Sequence, residues 1–377
     1  MSAIFSLSQA IGMNKCFDIA IIGGGPAGTA TAIALARSGR AVIVLERSHY
    51  EQARIGETLP PVAQLPLVNL GIWDRFIADG HIRSAGIISA WGQDELYEEH
   101  FIFSPYGEGW HLDRQRFDAM LALAAEEAGA SVCRGARVTS GSPTNSGHWQ
   151  IEFTADGKRA LLRARFLVDA TGRSAVLARR QGARRIAYDR LIGVVGFFSA
   201  RSSEGERDDR TLVEAVENGW WYSAWLLSSR LVVAYMTDAD VMPNGRVCLA
   251  EHWQNRLKQA PHTSSRVGRG VIENNPVIVA ADSFRMNRVT GNNWLAVGDA
   301  ATAYDPLSSH GLYKALESGL QAGRVIANCK PRHQAALAEY ERWNQTQFDE
   351  YLKMRRMHYD REKRWPASVF WQRRQPE

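Results

Sequence analysis

The sequence predicts an α/β fold in which a Rossmann-like dinucleotide-binding domain carries an inserted, mainly antiparallel β-sheet domain and C-terminal helices. An apolar strand runs directly into a glycine-rich turn and a helix-forming segment within residues 17–37. Between residues 191 and 237, apolar and polar residues alternate along several segments, as in half-buried antiparallel strands. A second strand–turn–helix segment over residues 294–327 adds a C-terminal part to the nucleotide-binding layer.

The glycine-rich turn has the spacing G-x-G-x-x-G in the segment FDIAIIGGGPAG of residues 17–28. Gly23 allows a tight turn, Gly25 lets a pyrophosphate approach the backbone because it has no Cβ, and Gly28 lets the helix pack closely on the sheet. The second strand, AVIVLE, ends in Glu46, whose carboxylate can accept hydrogen bonds from a ribose. The residues predicted to bind the nucleotide are Gly23, Gly25, Ala27, Gly28, Glu46 and Arg47.

The other elements follow in order along the chain. They are a helix over residues 62–78, short strands within 81–112 (including SAGIISAWG and EHFIFSP), a helix ending near 129, an antiparallel meander over 136–169, a helix over 309–327 and a longer C-terminal helix. Asp113 is predicted to be the N-cap of the helix that ends near Gly129. Asp156 and Gly157 predict a tight turn within the meander.

Composition limits the class of protein. The 377 residues are 45% hydrophobic, which suits one large domain or two closely joined ones. No run of residues reaches the length of a transmembrane helix, and residues 1–12 lack the basic start of a signal peptide. The four cysteines are far apart without C-x-x-C spacing, and the histidines lack metal-ligand spacing. We therefore expect no disulfide framework, no metal and a reducing, cytoplasmic location.

The positive charge is concentrated at the C-terminus. Residues 351–377 contain eight Lys or Arg and three Asp or Glu, a net of +5, which equals the formal net charge of the whole chain. Such a segment can meet an acidic partner, a nucleic acid or a membrane surface, or it can be a solvated helix face. We favour the solvated face and expect no nucleic-acid partner.

A second group of motifs resembles the flavin-binding pattern of the para-hydroxybenzoate hydroxylase-type flavoproteins. Asp299 follows a strand, where it can hold a ribityl hydroxyl, and residues 305–311 (DPLSSHG) open a helix whose free N–H groups would face the flavin ring. Residues 112–118 (LDRQRFD) match the R-x-x-F-D helix start, and residues 169–173 (DATGR) match the second dinucleotide-binding segment. The resemblance implies FAD rather than NAD, bound also by Arg114, Asp299, Pro306 and Gly311.

The predicted domains are discontinuous along the chain. They are an FAD-binding domain over residues 14–80, 113–185 and 286–345, a substrate-binding β-sheet domain over 81–112 and 186–285, a basic C-terminal helical segment over 346–377 and an N-terminal extension over 1–13.

Within that fold class the chain resembles the tryptophan halogenase superfamily. Residues 56–61 (GETLPP) are similar to its G-E-x-x-x-P loop, and residues 219–224 (GWWYSA) stand in the place of G-W-x-W-x-I-P. Residues 364–371 resemble the C-terminus of these proteins. Two departures argue against halogenation: the I-P is missing, and spacing puts Ser84 where a halogenase needs a lysine. A serine cannot form the haloamine that this lysine provides.

The resemblance therefore implies a halogenase-like flavin monooxygenase. The subgroup with similar loops oxidises a tryptophan side chain of a partner protein while its cysteine tryptophylquinone cofactor is built. In such enzymes NADH or NADPH reduces FAD, directly or through a reductase, and a C4a-hydroperoxyflavin transfers oxygen to an electron-rich aromatic ring. The expected substrate is an aromatic ring, in this subgroup within a tryptophan-containing protein precursor. The sequence leaves the oligomeric state open.

Four residues are candidates for catalysis. Glu57 lies in the loop predicted to be near the flavin, with a structural cap as the alternative. Ser309 and His310 open the helix beside the predicted flavin ring, where a histidine can donate or shuttle a proton; the alternative is a helix-start residue bonded to backbone. Trp221 lies among three successive aromatic residues of a strand, of which one face would be pocket and the other core.

Three other functions stay open at this point. The first is a flavin-dependent hydroxylase or halogenase of a small aromatic molecule, and the second is a prenyl-reductase-like flavoenzyme that reduces alkenes without oxygen. The third is a non-catalytic flavoprotein that serves as a binding partner or maturation factor.

Overall fold

The structure, a computed structural model, describes residues 16–52, 54–199, 207–242, 249–328 and 334–375. It is a mixed α/β fold with two large and two small sheets. The strands are β1 (Cys16–Ile22), β2 (Val42–Leu45), β3 (Thr58–Leu59), β4 (Ile82–Ser84), β5 (Gly86–Ala90), β6 (Tyr97–His100), β7 (Gly109–His111), β8 (Ser131–Cys133), β9 (Arg137–Pro143), β10 (Trp149–Ala155), β11 (Lys158–Asp169), β12 (Arg185–Ala187), β13 (Leu191–Ser199), β14 (Thr211–Val216), β15 (Gly219–Leu226), β16 (Arg230–Asp238), β17 (Val271–Ile272), β18 (Val277–Ala280), β19 (Phe284–Met286), β20 (Thr290–Gly291), β21 (Trp294–Ala296) and β22 (Thr302–Ala303). The helices are α1 (Pro26–Arg37), α2 (Gln64–Asn69), α3 (Trp73–Ala78), α4 (Arg114–Glu127), α5 (Val176–Arg180), α6 (Leu249–Leu257), α7 (Pro261–Val267), α8 (Gly311–Ala327), α9 (Gln334–Tyr359) and α10 (Val369–Gln372).

The first sheet carries the glycine-rich turn. Its strand order is β20-β21-β11-β1-β2-β8, and β10 and β9 extend it beside β11. β1 pairs in parallel with β11 and β2, and β11 pairs in parallel with β21, so the carboxyl ends of these strands meet at one edge. β2 is buried along its whole length, as expected where helices cover both faces of a parallel sheet. The antiparallel β10–β11 pair turns at Asp156 and Gly157, as the sequence predicts, and both residues have positive φ.

Helix α1 packs closely on α8 through small residues. A Cβ on Gly319 would lie 2.5 Å from the Ala27 carbonyl oxygen, and a Cβ on Gly323 would lie 2.5 Å from the Ala34 Cβ. A spacing of four residues places both glycines on one face of α8. The two contacts also show that the helices run in the same direction, so their N-termini point to the same end of the sheet.

The second sheet has the order β17-β13-β16-β15-β14-β5-β6, with β18 also paired to β13. Its pairs are antiparallel except for β14 with β5. Neighbouring residues of β16 enter separate cores: Val232 packs in the cluster of the C-terminal Trp371, and Val233 packs in the cluster of Trp253. The two faces of this sheet therefore have different surroundings.

Two small antiparallel sheets connect the larger parts. β3-β7-β4 places Thr58 opposite His111, so the loop after β2 is fixed against the segment that precedes α4. β12-β19-β22 joins the region after α5 to the chain that leads into α8.

Three predicted elements differ from the structure. The helix predicted over 62–78 is divided into α2 and α3, because Gly71 adopts a φ of +58° between them. The strand predicted over EHFIFSP ends after two residues, and Phe101–Phe103 form a 3₁₀ turn. The helix predicted from residue 309 begins at Gly311, because Ser309 is left-handed with a φ of 52°.

The basic C-terminal segment packs against acidic residues of the protein. Arg373 and Arg374 bind the buried Asp238 carboxylate at 2.9 and 2.6 Å, and Arg364 binds Glu362 at 2.6 Å. These arginines are therefore not part of a freely solvated face. The predicted domain bound between residues 345 and 346 falls inside α9, and the other domain bounds stay predictions. No helix in the described ranges is both long and apolar enough to cross a membrane.

Candidate functional site

A cavity of about 910 Å³ lies at the edge where β1, β2 and β21 end, and it extends to the second sheet. Its size is within the range of ligand sites, about 300–1,000 Å³. Ligands of open parallel sheets bind at this edge. Of the residues predicted to bind the cofactor, those that line the cavity are Gly23, Gly25, Ala27, Glu46, Arg47, Arg114, Asp299, Pro306 and Gly311.

The glycine-rich turn forms the part of the cavity that fits a phosphate. Gly23 has a φ of +106°, and a Cβ at Gly28, inside α1, would lie 2.0 Å from the Gly23 carbonyl oxygen. A Cβ at Gly25 would meet nothing nearer than the Arg54 guanidinium at 3.9 Å. Gly25 is the N-cap of α1, whose first N–H groups have no partner within the helix. Open space, free N–H groups and a cation thus converge at one point, as a pyrophosphate needs.

Glu46, at the end of β2, is held by several donors. Its carboxylate accepts hydrogen bonds from the Gly24 N–H at 2.6 Å and from the Ser48 hydroxyl at 2.6 Å. Burial opposes ionisation, but these hydrogen bonds and the Arg54 charge outweigh it and lower the pKa of Glu46. The ionised carboxylate keeps acceptor capacity toward the cavity, which suits a ribose diol.

Arg114 joins the two sides of the loop that follows β2. Asp113 caps α4, as predicted, by accepting hydrogen bonds from the Gln115 and Arg116 N–H groups. Arg114 donates to the carbonyl oxygens of Ile55 and Gly56, both at 3.0 Å, and binds Asp118 at 3.2 Å. It therefore fixes the backbone just before Glu57.

Asp299 forms an ion pair with a buried lysine, and the sequence did not indicate this pair. The Lys314 ammonium, 7% exposed, lies 2.7 Å from Asp299 Oδ1 and also donates to the Thr302 carbonyl oxygen. Burial raises the pKa of Asp299, but the Lys314 charge outweighs burial and lowers it. The Asp299 side chain is 36% exposed, so part of the carboxylate is free for a ligand.

Glu57 lies beside two hydroxyl groups at the wall of the cavity. It is 2% exposed, and its Oε1 has no hydrogen-bond partner in the described part of the protein. The Tyr222 hydroxyl and Thr58 Oγ1 share a hydrogen bond of 2.7 Å. Burial raises the pKa of Glu57 despite its backbone hydrogen bonds and the Arg114 charge, and burial with the Glu57 charge raises the pKa of Tyr222. Both shifts favour the protonated forms.

Two predicted catalytic residues are not at this cavity, while Ser309 is. His310 is exposed and lines a second cavity of about 240 Å³, on the other side of the turn that follows Asp305. Its ring contacts the Ser308 carbonyl oxygen, which is the backbone-bonded alternative considered from the sequence. Trp221 is fully buried on the far face of β15, stacked on Tyr235 at 4.9 Å. The prediction that these two side chains reach the reacting ring is therefore corrected.

Several residues of the site carried no sequence signal that we used. Arg54 and Lys314 form ion pairs with residues that are not their neighbours in the sequence. Tyr222 is adjacent to Trp221, which the sequence predicts as a catalytic candidate. The strand alternation allowed either face to be the pocket. In the structure, Val232 and Ala234 of the neighbouring strand line the cavity together with Tyr222. The face of the sheet that carries Tyr222 is therefore the face toward the cavity.

Comparison with known proteins gives three kinds of match. Residues 16–346 match the family model described as FAD binding domain. LodB of Marinomonas mediterranea, named as an FAD-dependent oxidoreductase, is 31% identical over 375 residues, which cover 96% of this chain and 97% of that protein. The flavin-dependent halogenase armH4 of Armillaria mellea is 29% identical over 351 residues, which cover 82% of this chain but 65% of the halogenase.

Two solved structures share the fold over most of the chain. The myxobacterial chondrochloren halogenase CndH has a TM-score of 0.88 at 24% identity, covering 96% of this chain and 86% of that one. The peptidyl tryptophan dihydroxylase QhpG, essential for tryptophylquinone cofactor biogenesis, has a TM-score of 0.79 at 26% identity, covering 96% and 79%. With a relative 31% identical along nearly its whole length and a family model that spans the residues of the large cavity, the chain belongs to the FAD-binding-domain family of enzymes, among its halogenase-like FAD-dependent oxidoreductases.

Proposed function

We propose that the protein is an FAD-dependent monooxygenase that hydroxylates an electron-rich aromatic ring, carried as a tryptophan side chain by a partner protein. The observation that carries the proposal is the wall formed by Glu57, Thr58 and Tyr222, which combines proton donors at the large cavity. Bound FAD, once reduced by NADH or NADPH directly or through a reductase, supplies the activation of molecular oxygen.

The chain offers one group of residues for each part of FAD. Gly25 and the N-terminus of α1, beside Arg54, would hold the pyrophosphate, and Glu46 would hold the adenosine ribose. Asp299 would hold the ribityl chain, while the N-terminus of α8 would face the ring system.

Apolar residues of the second sheet would keep water from the reacting ring. Val232, Ala234, Met236, Val279 and Ala281 line the part of the cavity next to Tyr222. A dry wall of this kind excludes water and strengthens the electrostatic interactions of the few polar groups that face the substrate. Aromatic rings bind well to such a surface because their transfer from water is favourable.

Hydroxylation places one oxygen atom of O₂ on the ring and releases the other as water, so the site must deliver a proton. We assign this delivery to the carboxyl group of Glu57, whose Oε1 is buried without a hydrogen-bond partner in the described part of the protein. Tyr222, hydrogen-bonded to Thr58, would orient the carboxyl group and can return the proton to it. A general acid in a dry site contributes typically about 10²–10⁴-fold to the rate.

Halogenation is disfavoured by the surroundings of Ser84. Its side chain is buried, with the residue 1% exposed, and its hydroxyl donates to the Gly86 carbonyl oxygen at 3.2 Å. Lys314, the buried lysine near the large cavity, is bound to Asp299 and to the Thr302 carbonyl oxygen. An ammonium held in this way is not free to form a haloamine.

A protein-borne substrate is supported by the similarity to QhpG, a peptidyl tryptophan dihydroxylase, and by one surface. Ile102 and Phe103 are consecutive, 82% and 91% exposed, and large apolar side chains seldom stand in water together without a partner. We assign this surface to the partner protein.

The experiment uses the FAD-loaded enzyme with NADH or NADPH, a reductase, ¹⁸O₂ and the precursor protein of a tryptophylquinone enzyme. We expect one or two labelled oxygen atoms on a tryptophan of the precursor, found by peptide mass spectrometry. Free tryptophan and phenols are parallel substrates, and bromide is added in a separate arm. A brominated product would show that the enzyme is a halogenase and would overturn the proposed hydroxylation. Labelled free aromatics with an unlabelled precursor would overturn the protein-borne substrate but leave the monooxygenase in place.

A further inference from the structure

Asp305 is a fully buried carboxylate that sits at the start of the turn between the two cavities. Its Oδ1 accepts a hydrogen bond from the Leu307 N–H at 2.9 Å. Its Oδ2 accepts hydrogen bonds from the Tyr359 hydroxyl at 2.8 Å and from Arg355 Nε at 3.2 Å. Since the side chain is 0% exposed, these donors replace water for both oxygens.

The backbone of Asp305 is bound by α9, the helix that also carries Arg355 and Tyr359. The Asp305 N–H donates to the Tyr351 hydroxyl oxygen at 2.8 Å, and this hydroxyl shares a hydrogen bond of 2.6 Å with Ser283 Oγ. Arg355 extends from Asp305 to Asp189, with its Nη2 3.0 Å from Asp189 Oδ2. Three residues of α9, Tyr351, Arg355 and Tyr359, thus meet at one residue of the turn.

Tyr359 connects this turn to the second sheet. Trp220 Nε1 donates to the Tyr359 hydroxyl oxygen at 3.1 Å, while the hydroxyl proton goes to Asp305. Trp220 stands opposite Met236, which lines the large cavity. The position of Tyr359 is therefore fixed by the sheet on one side and by the aromatic ring of Trp371 on the other.

The turn that Asp305 begins determines how α8 starts. After Pro306–Ser308 the chain passes through the left-handed Ser309, and α8 begins at Gly311. Ser309, Gly311 and Leu312 line the large cavity. The first N–H groups of a helix have no partner within it, so those at the start of α8 are available to a group in the cavity. Their direction depends on the turn.

We propose that Tyr359 is a positioning residue of the FAD site: by holding Asp305 it orients the N–H groups at the start of α8, and so favours the reduced over the oxidised form of bound FAD. Partial positive charge at a helix N-terminus stabilises a nearby negative charge. Tyr359 itself lines neither cavity. The proposal rests on FAD binding and not on the identity of the aromatic substrate.

The test is Tyr359→Phe, which keeps the ring and its packing but removes the donor to Asp305. We measure the midpoint potential of bound FAD against a reference dye, the dissociation constant of oxidised FAD and the melting temperature of the protein. We expect a more negative potential, equivalent to about fivefold to tenfold weaker binding of reduced relative to oxidised FAD. Tyr351→Phe, which removes the hydroxyl that accepts the Asp305 N–H at 2.8 Å without changing any charge, should shift the potential in the same direction, and it replaces Tyr359→Phe if that variant does not fold.

Two controls separate positioning from general stability. Tyr235→Phe removes another buried hydroxyl, which donates to the Asn218 carbonyl oxygen at 2.9 Å. Trp253→Phe removes a buried indole N–H, which donates to the Val194 carbonyl oxygen at 2.9 Å in the cluster of Trp221 and is not bonded to Tyr359 or Asp305. Both controls should lower the melting temperature and keep the wild-type potential. A wild-type potential in Tyr359→Phe, or an equal shift in Tyr235→Phe, would overturn the proposal without touching the proposed hydroxylation.

Discussion

Trp221 and Tyr222 are neighbours on β15, yet their side chains lie on opposite faces of the second sheet. Trp221 packs against Tyr235 and Trp253 in a closed aromatic core, with ring centroids 4.9 and 5.4 Å away. Tyr222 reaches Thr58 at the wall of the large cavity. Trp221 therefore contributes to the stability of the fold, whereas Tyr222 contributes to the site.

This division predicts opposite outcomes for two conservative variants. Trp221→Phe should lower the free energy of unfolding by about 1–3 kcal/mol, because the smaller ring makes fewer contacts in the core. It should leave kcat unchanged. Tyr222→Phe should cost about 1 kcal/mol or less in stability but lower kcat by about tenfold or more. Denaturant unfolding and single-turnover kinetics measure the two quantities. If both variants lost kcat equally, the two faces of the second sheet would not divide into a stabilising face with Trp221 and a catalytic face with Tyr222.

The second prediction concerns the pH dependence of stability through Glu57. Its pKa in the folded protein is raised above the ordinary value of 4.5, chiefly by burial. The folded state thus binds this proton more tightly than the unfolded state, so the stability Glu57 contributes is present below pH 4.5 and is lost as pH rises through the folded pKa. We expect Glu57→Gln to flatten the decline of the melting temperature with rising pH. A parallel decline in both proteins would contradict the raised pKa.

Activity should depend on the same proton with the same sign. If Glu57 is the proton donor, it must be protonated, and the rate should fall as pH rises through its raised pKa. Glu57→Gln should lower kcat by about 10²–10⁴-fold and remove this alkaline limb. Pre-steady-state kinetics over a pH series measure both effects. If the variant keeps the alkaline limb, the limb belongs to another group.

The features that the sequence predicted well depend on short segments. The glycine-rich turn, the Asp113 cap and the turn at Asp156 are each decided by neighbouring residues, because a positive φ or a free N–H group selects the residue type. The strand–Gly–Asp segment at 294–299 also follows this local logic, and it ends at the large cavity as expected.

The features that it did not predict depend on residues far apart in the chain. Tyr359 and Asp305 are 54 residues apart, and nothing near either residue shows that α9 crosses the turn. The placement of His310 was wrong because the left-handed Ser309 directs the chain so that the histidine faces the second cavity. To decide whether Trp221 or Tyr222 faces the cavity, one must know which face of the sheet is covered by α6 and α7.

The fourth prediction tests the ion pair of Lys314 with Asp299. Lys314→Met keeps the volume of the side chain but leaves Asp299 without its cation, and FAD should bind about tenfold more weakly because the carboxylate is no longer oriented. Lys353→Met is the matched control: it removes a helical lysine that is 68% exposed and bound to Glu350, and it should leave FAD binding unchanged. Titration by flavin fluorescence measures both. Equal affinity in all three proteins would remove Lys314 from the site.

The last prediction concerns the surface formed by Ile102 and Phe103. If a partner protein covers it, Phe103→Ser should raise KM for the precursor protein by about tenfold, since the fully buried ring would contribute about 1.5–3 kcal/mol. The rate of FAD reduction should not change, because the surface lines neither cavity. Val271→Ser, which shortens an apolar side chain that is 68% exposed on β17, is the matched control and should behave as the wild type. If the two variants raise KM alike, or neither does, the partner docks elsewhere, and the exposed pair has no role in recognising it.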